Sequence, residues 1–163
     1  MRRNDGEITT RREIDRVIQR AQVCRIAFIS EGEPYLVPVC FGYDGSALYF
    51  HCAVEGRKLG MLAPGAAVCF EMETDVGVVP APGACGWTMT YSSVIGWGRA
   101  AKIGDEAEKV RALDTIMAHY GGPAGPYDPG PAARTILVRI DIERLTGKRN
   151  SEPARSDRTG PGN

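Results

Sequence analysis

The sequence has few of the residues on which metal and nucleophile chemistry depends. Its 163 residues include two histidines, His51 and His119, and five widely spaced cysteines with no Cys-x-x-Cys pair. Structural zinc sites normally show close, paired ligands, so we expect no metal site and interpret the cysteines as reduced thiols that act as small apolar side chains. No Gly-x-Ser-x-Gly motif occurs, which argues against a Ser-His-Asp nucleophile.

Two further absences limit the partners and the location. The 20 basic side chains equal the 20 acidic ones, and a formal net charge of zero argues against nucleic acid or an acidic membrane surface as partner. No run of about 18 apolar residues occurs, so we expect no transmembrane helix. Residues 1–7 lack the apolar run of a secretory signal, and we therefore expect a cytoplasmic protein.

The apolar periodicity predicts a mainly β protein with peripheral helices. A capping box at Thr10 and Glu13 begins the first amphipathic helix, and Asp44-Gly45 is a hairpin turn. Helices are predicted over 10–22, 57–62 and 105–120. Six or so strands are predicted over 24–30, 35–42, 46–52, 66–73, 87–103 and 135–145. Short turns join the first three strands, which makes them antiparallel, and the whole pattern predicts a small closed or partly closed β-barrel.

The domain and its tail differ in composition. Residues 1–148 are predicted to form one domain, whereas 149–163 contain almost no apolar side chain and are predicted to be a polar, disordered tail. Pro38, inside a predicted strand, indicates an edge position, a bulge, or a backbone that faces a ligand.

The segment 96–101, Gly-Trp-Gly-Arg-Ala-Ala, has the spacing of a dinucleotide-binding fingerprint. That fingerprint must open a helix in a parallel βαβ unit, but the neighbouring pattern here is antiparallel, so we reject it. We instead expect Gly42, Gly96 and Gly98 to give room for a flat group.

A basic pair stands where a turn enters the second predicted helix. Free backbone N–H groups and the cations of Arg57 and Lys58 can converge there on one anion, such as a phosphate. A solvated basic pair is the alternative interpretation. Aromatic and hydroxyl side chains also crowd one strand, at Trp87, Trp97 and Ser93, and they are consistent with either core packing or stacking against a planar ring.

These features together resemble a known family. The segment 48–58, Leu-Tyr-Phe-His-Cys-Ala-Val-Glu-Gly-Arg-Lys, is similar to the pyridoxamine 5′-phosphate oxidase superfamily, in particular its nitroimidazole-reductase-like branch. Segments 37–43, 87–98 and 140–148 support the resemblance, which extends over residues 8–148. The resemblance implies a split β-barrel that forms a homodimer and binds FMN in two clefts at the subunit interface.

The resemblance also implies roles for individual residues. His51 is the implied catalytic side chain, and Trp87 or Trp97 is expected to shape the substrate pocket. The implied FMN-binding residues are Val37, Pro38, Val39 and Cys40 beside the ring, Phe50, His51 and Cys52 close to it, Arg57 and Lys58 at the phosphate, and Ser93, often from the partner subunit. Many relatives have Asn at the Cys40 position, and no C-terminal Arg-x-His occurs, which disfavours vitamin B6 oxidation.

The implied function is that of an FMN-dependent oxidoreductase, similar to flavin reductases or nitroreductases. It would pass electrons from NAD(P)H to a small organic acceptor. Two alternatives remain open: a non-catalytic flavin-binding carrier or sensor, and a split-barrel protein that uses haem or a deazaflavin.

Overall fold

The computed structural model describes residues 6–128, 130 and 134–151. Within these residues, eight strands form one antiparallel sheet with helices packed against it. The strands are β1 (Glu7–Ile8), β2 (Cys24–Ser30), β3 (Glu33–Val39), β4 (Phe41–Tyr43), β5 (Ala47–Ala53), β6 (Ala66–Val79), β7 (Thr88–Lys102) and β8 (Thr135–Asn150). The helices are α1 (Arg11–Arg20), α2 (Arg57–Met61) and α3 (Glu106–His119).

The sheet curls into a split barrel because its two ends are joined through one residue. The hydrogen-bonded order of the strands is β3-β2-β6-β7-β8-β5-β4, and β1 pairs with β8. β3 and β4 therefore lie at opposite ends of this order, although only Cys40 separates them in the sequence. A flat sheet cannot satisfy both conditions, so the predicted mainly β, partly closed barrel is confirmed.

The structure changes several predicted bounds. β2 matches its prediction, but the predicted strand over 35–42 is divided at Cys40, where the chain leaves β2 and begins to pair with β5. β6 continues to Val79, into the predicted loop, after a register shift between Thr74 and Gly77. β8 continues through residues 149 and 150, which the sequence assigned to the tail. The remaining tail, 152–163, lies outside the described residues.

The core has two parts on opposite faces of the sheet. The barrel interior holds the larger cluster, with the fully buried aromatic rings of Phe28, Phe50 and Phe70. Outside the barrel, α3 packs onto β5 and β8, and a smaller cluster forms around Tyr49 and Ile116. No helix in the described part of the chain is long and apolar enough to cross a membrane.

The predicted role of three glycines is wrong. A Cβ on Gly96 would lie 2.1 Å from the Phe70 ring, and one on Gly98 would lie 2.3 Å from the Asp141 carbonyl oxygen. Both glycines thus face the tightly packed barrel interior. A Cβ on Gly42 would lie 2.6 Å from backbone atoms of α3. All three glycines permit close packing within the protein, and none gives room for a cofactor.

Candidate functional site

An opening in the barrel lies where β3 and β5 separate. The β4–β5 ladder pairs Phe41 with Phe50, and beyond this pair the chain of β3 turns to β2. Residues 51–53 of β5 continue toward β8 only, and β3 is an end strand, as its proline suggested. We call this opening the split, and Cys40 and His51 stand at its beginning. Both strands have backbone groups there that no neighbouring strand in the described ladders uses.

Helix α2 connects the two sides of the split. Gly56 precedes it with φ +126°, a conformation that L side chains rarely adopt and that lets the chain turn sharply after β5. The Arg57 guanidinium lies 4.8 Å from the centre of the Tyr35 ring on β3. Burial raises the pKa of the Cys52 thiol on β5, and the Lys58 cation opposes this increase. Arg57 therefore reaches β3, and the helix that carries the basic pair begins four residues after β5 ends.

The predicted cofactor residues divide into two groups by side-chain direction. The structure buries Val37, Val39, Phe50 and Cys52 in the barrel core, so only their backbone groups are available to a ligand. The alternate residues point outward. Pro38, Cys40, His51 and Arg57 are exposed, and Lys58 is half-buried.

The two cations of α2 are available to an anion. Among the described residues, neither Arg57 nor Lys58 forms an ion pair. Arg25, on the neighbouring strand β2, instead lies 3.3 Å from Glu71 and 3.2 Å from Glu73. Arg and Lys side chains supply positive charge and several N–H donors to a phosphate, so these two neighbouring cations are a candidate phosphate site.

The residues at the end of α3 hold the chain in place where the split begins. The sequence did not predict these contacts. The Tyr120 hydroxyl accepts a hydrogen bond from the Phe41 N–H at 3.1 Å and donates to the Gln22 carbonyl at 2.9 Å. Burial raises the pKa of Tyr120, and the adjacent Cys40 thiol adds to this effect. His119 is half-buried and contacts the Ala21 carbonyl at 2.8 Å through Nε2. These contacts join residues up to 98 positions apart in sequence, so no local pattern reports them.

Three predicted site residues lie away from the split within one chain. Ser93 lies on β7, which β2 and β6 separate from β3 and Pro38 in the sheet. Trp97 lies beneath the Arg144 guanidinium, 3.6 Å from its ring centre. Trp87 is 58% exposed and lies just before the first residue of β7, roughly 30 Å from Trp97 along the strand. The two tryptophans are therefore far apart along one chain, and the substrate pocket predicted at one or the other stays a prediction.

The outer face of the sheet carries rows of partly apolar side chains next to the split. The ladders align one row from Pro38 through Arg25 and Glu71 to Ile95. The next row contains Leu36, Ala27, Cys69 and Trp97 in the same order of strands. On this face, Leu36 is 60% exposed. The apolar side chains of the two rows flank the Arg25–Glu71 ion pair, and a mixed surface of this kind is typical of a non-obligate protein–protein interface.

The fold and the split define a split-barrel protein with two neighbouring cations, Arg57 and Lys58, beside the split. A model of the pyridoxamine 5′-phosphate oxidase family matches residues 10–149, and the protein therefore belongs to the pyridoxamine 5′-phosphate oxidase family. This confirms the resemblance identified from the sequence. A search of curated proteins found no significant match.

Solved structures of similar proteins support the fold. A Bacteroides thetaiotaomicron protein, described as a candidate 5-nitroimidazole antibiotic resistance protein, is 30% identical with a TM-score of 0.76, over 88% of this chain and 86% of that one. A flavocytochrome from Azotobacter vinelandii is 20% identical with a TM-score of 0.79, over 97% and 75% of the two chains. An FAD- and haem-binding protein from Mycobacterium smegmatis is 22% identical with a TM-score of 0.75, over 93% and 77%.

Proposed function

We propose that this protein is an FMN-dependent oxidoreductase that passes electrons from NAD(P)H to a small organic acceptor. The observation that carries the proposal concerns two neighbouring cations, Arg57 and Lys58, on helix α2 beside the split. Neither forms an ion pair with a described residue. A phosphate monoester suits this pair, because Arg and Lys together supply charge and several N–H donors. The similar proteins described as binding flavins add support.

The residues of the split suit a planar cofactor with one phosphate. Arg57 and Lys58 would hold the phosphate, and the backbone groups of 37–40 and 50–52 would line the ring, since four of these seven side chains are buried in the core. Pro38 and Cys40 would contact the ring with their exposed side chains. When bound, FMN would supply the redox chemistry, by which the two electrons of the nicotinamide hydride pass to the acceptor together with two protons in all, one of them from water.

His51 is the side chain that we propose for contact with the reacting molecule. It is exposed at the beginning of the split, on the outward face of β5. The second histidine, His119, is engaged with the Ala21 carbonyl on the other side of β4. An imidazole ring carries an N–H donor, so His51 suits the orientation of a polar atom of the acceptor molecule through a hydrogen bond.

We also infer that two copies of the chain associate through the outer face of β3, β2, β6 and β7. Its exposed apolar residues include Ile29, which is 65% exposed, and Leu36. Ser93 lies on this same face, three strands from Pro38, which favours a contact between Ser93 and the cofactor of the partner copy.

Free thiols at all five cysteines accord with the expected cytoplasmic location.

Anaerobic addition of NADH or NADPH to the FMN-loaded protein tests the proposed turnover. We expect the visible flavin absorption to disappear and to return when an organic acceptor is added. His51→Ala should keep FMN but slow reoxidation at least about tenfold, whereas Arg16→Ala, an exposed change on α1, should have no effect. Flavin that stays oxidised with both nucleotides would contradict an oxidoreductase and favour the carrier or sensor.

A further inference from the structure

A cavity of about 790 Å³ lies between α3, residues 124–127 and the start of β8. Its volume is within the range of small-molecule sites, roughly 300–1,000 Å³. Its walls are mainly apolar, with Val110 and Leu113 from α3, Leu137 from β8, and the rings of Pro126 and Tyr127. Two clefts beside β1 and α1 are about half as large, at about 410 and 390 Å³, and are lined by several charged side chains.

The charged side chains that line this cavity are engaged with neighbours. Lys109 Nζ lies 2.7 Å from Glu106 Oε1. The Asp114 carboxylate accepts hydrogen bonds from the Tyr127 hydroxyl at 2.7 Å and from the Gly125 N–H at 3.2 Å. The tyrosine bond holds the pKa of Asp114 below its usual value, so this carboxylate is ionised at neutral pH. With two carboxylates and one ammonium at its border, the cavity disfavours anions.

The cavity is next to the split. The β5–β8 ladder pairs Leu137, in the cavity wall, with His51. Paired residues in an antiparallel ladder point to the same face of the sheet, and their Cα atoms are about 5 Å apart. His51 therefore stands between the cavity and the split, on the outward face that both share.

We propose that this cavity binds the electron acceptor, and that the acceptor is an uncharged, apolar, ring-sized molecule with one end beside His51. The reaction assigned to this molecule rests on the proposed function, whereas the binding site rests on the cavity itself. Apolar walls of this size bury a ring system, and the engaged charged groups give no partner to a phosphate or carboxylate. The cofactor phosphate and the acceptor thus have separate sites on either side of His51.

An uncharged fluorophore, N-phenylnaphthylamine, tests the cavity directly. We expect its fluorescence to increase saturably with the wild-type protein, and an uncharged naphthoquinone to displace it. Val110→Trp should weaken its binding at least about tenfold by filling the cavity, because Val110 is 48% exposed on α3 and tolerates a larger side chain. Arg111→Trp, at an exposed position on the same helix outside the lining, is the matched control and should bind as the wild type does.

The outcomes distinguish a failure of the cavity proposal from a failure of the proposed FMN-dependent function. Equal affinity of the wild type and Val110→Trp, or no saturable signal with the wild type, overturns the cavity as a binding site. Probe binding that the naphthoquinone does not displace overturns its assignment to the acceptor. FMN titrations on the same samples test the proposed function alone, since failure to bind FMN leaves the probe result intact. Val110→Phe, which fills less space, should give an intermediate affinity and shows that the effect follows volume.

Discussion

The two halves of β5 share a buried inner face but differ on their outward face. In the first half, Tyr49 is only 8% exposed because α3 covers it. Two residues later on the same face, His51 is exposed, because α3 crosses to β4 and leaves this end of the strand uncovered. Between them, Phe50 points into the barrel and is fully buried.

This difference separates stability from function along a single strand. Where α3 covers the sheet, side chains are fixed by packing on both faces and are not available to a ligand. Where the cover ends, the inner face still fixes the backbone, and the outward side chains stand on a rigid support. The candidate site therefore lies where α3 no longer covers β5. The buried residues that support it are the immediate sequence neighbours of the exposed ones.

The largest expected effect comes from the inner face that both halves share. Phe50→Ala should lower the free energy of unfolding by about 3–5 kcal/mol, because it leaves a cavity in the barrel core. His51→Ala, at the adjacent position, should change it by less than about 0.5 kcal/mol. Urea unfolding of both variants measures this contrast. Similar losses at the two positions would show that His51 has a structural role and would contradict the comparison.

A smaller loss in the free energy of unfolding is expected on β4, the neighbouring strand that α3 also covers. Gly42→Ala places a Cβ against backbone atoms of α3 at 2.6 Å, and the helix must move away. We expect a loss of about 1–3 kcal/mol in the free energy of unfolding, as for other overpacked sites. Gly104→Ala is the matched control, since its Cβ would meet no atom within 4 Å. Equal stabilities of the two variants would mean that the cover of α3 is not tightly packed.

The smallest expected effect concerns the hairpin that leads into the covered half. Asp44 accepts hydrogen bonds from the N–H groups of Ser46 and Ala47 at 2.7 and 2.8 Å, and from the Tyr49 hydroxyl at 2.8 Å. Burial alone would raise the pKa of Asp44, but these donors outweigh it and lower the pKa. Asp44→Asn should cost about 1 kcal/mol at neutral pH, after allowance for solvent screening of a partly exposed group.

The pH dependence of this effect follows from the direction of the shift. A lowered folded-state pKa contributes stability that is present above the unfolded pKa of about 3.9 and is lost as the pH falls through the folded pKa. The difference between the wild type and Asp44→Asn in urea unfolding should therefore be constant near neutral pH and shrink in acid. A difference that does not change with pH would contradict this account of the hairpin.

The sequence predicts much of the barrel because its local signals are strong. Alternation defines the two faces of β2, and the capping side chain of Thr10 accepts from the Glu13 N–H at 3.4 Å at the start of α1, as the capping box indicates. The basic pair after Gly56 is likewise a local motif. Its position at the split was predicted only through the family resemblance.

Other features depend on contacts that a single sequence does not report. The glycines at 96 and 98 were misinterpreted because periodicity alone does not say which face of a strand points inward. Tyr120 contacts Phe41 across 79 positions in sequence, and only the docking of α3 onto β4 brings them together. The separation of Trp87 and Trp97 also depends on strand length, and β7 begins only after Trp87 and continues past Trp97 to Lys102.

An equilibrium titration of the apoprotein with FMN tests the central claim most directly. If the split holds the cofactor phosphate, the double variant Arg57→Ala with Lys58→Ala should weaken FMN binding at least about a hundredfold, since each charge-assisted contact contributes about 1.5–3 kcal/mol. Arg12→Ala with Arg16→Ala removes the same charge from exposed positions on α1 and should leave the affinity unchanged. Wild-type affinity in the Arg57–Lys58 variant, or equal losses in both double variants, would contradict the assignment.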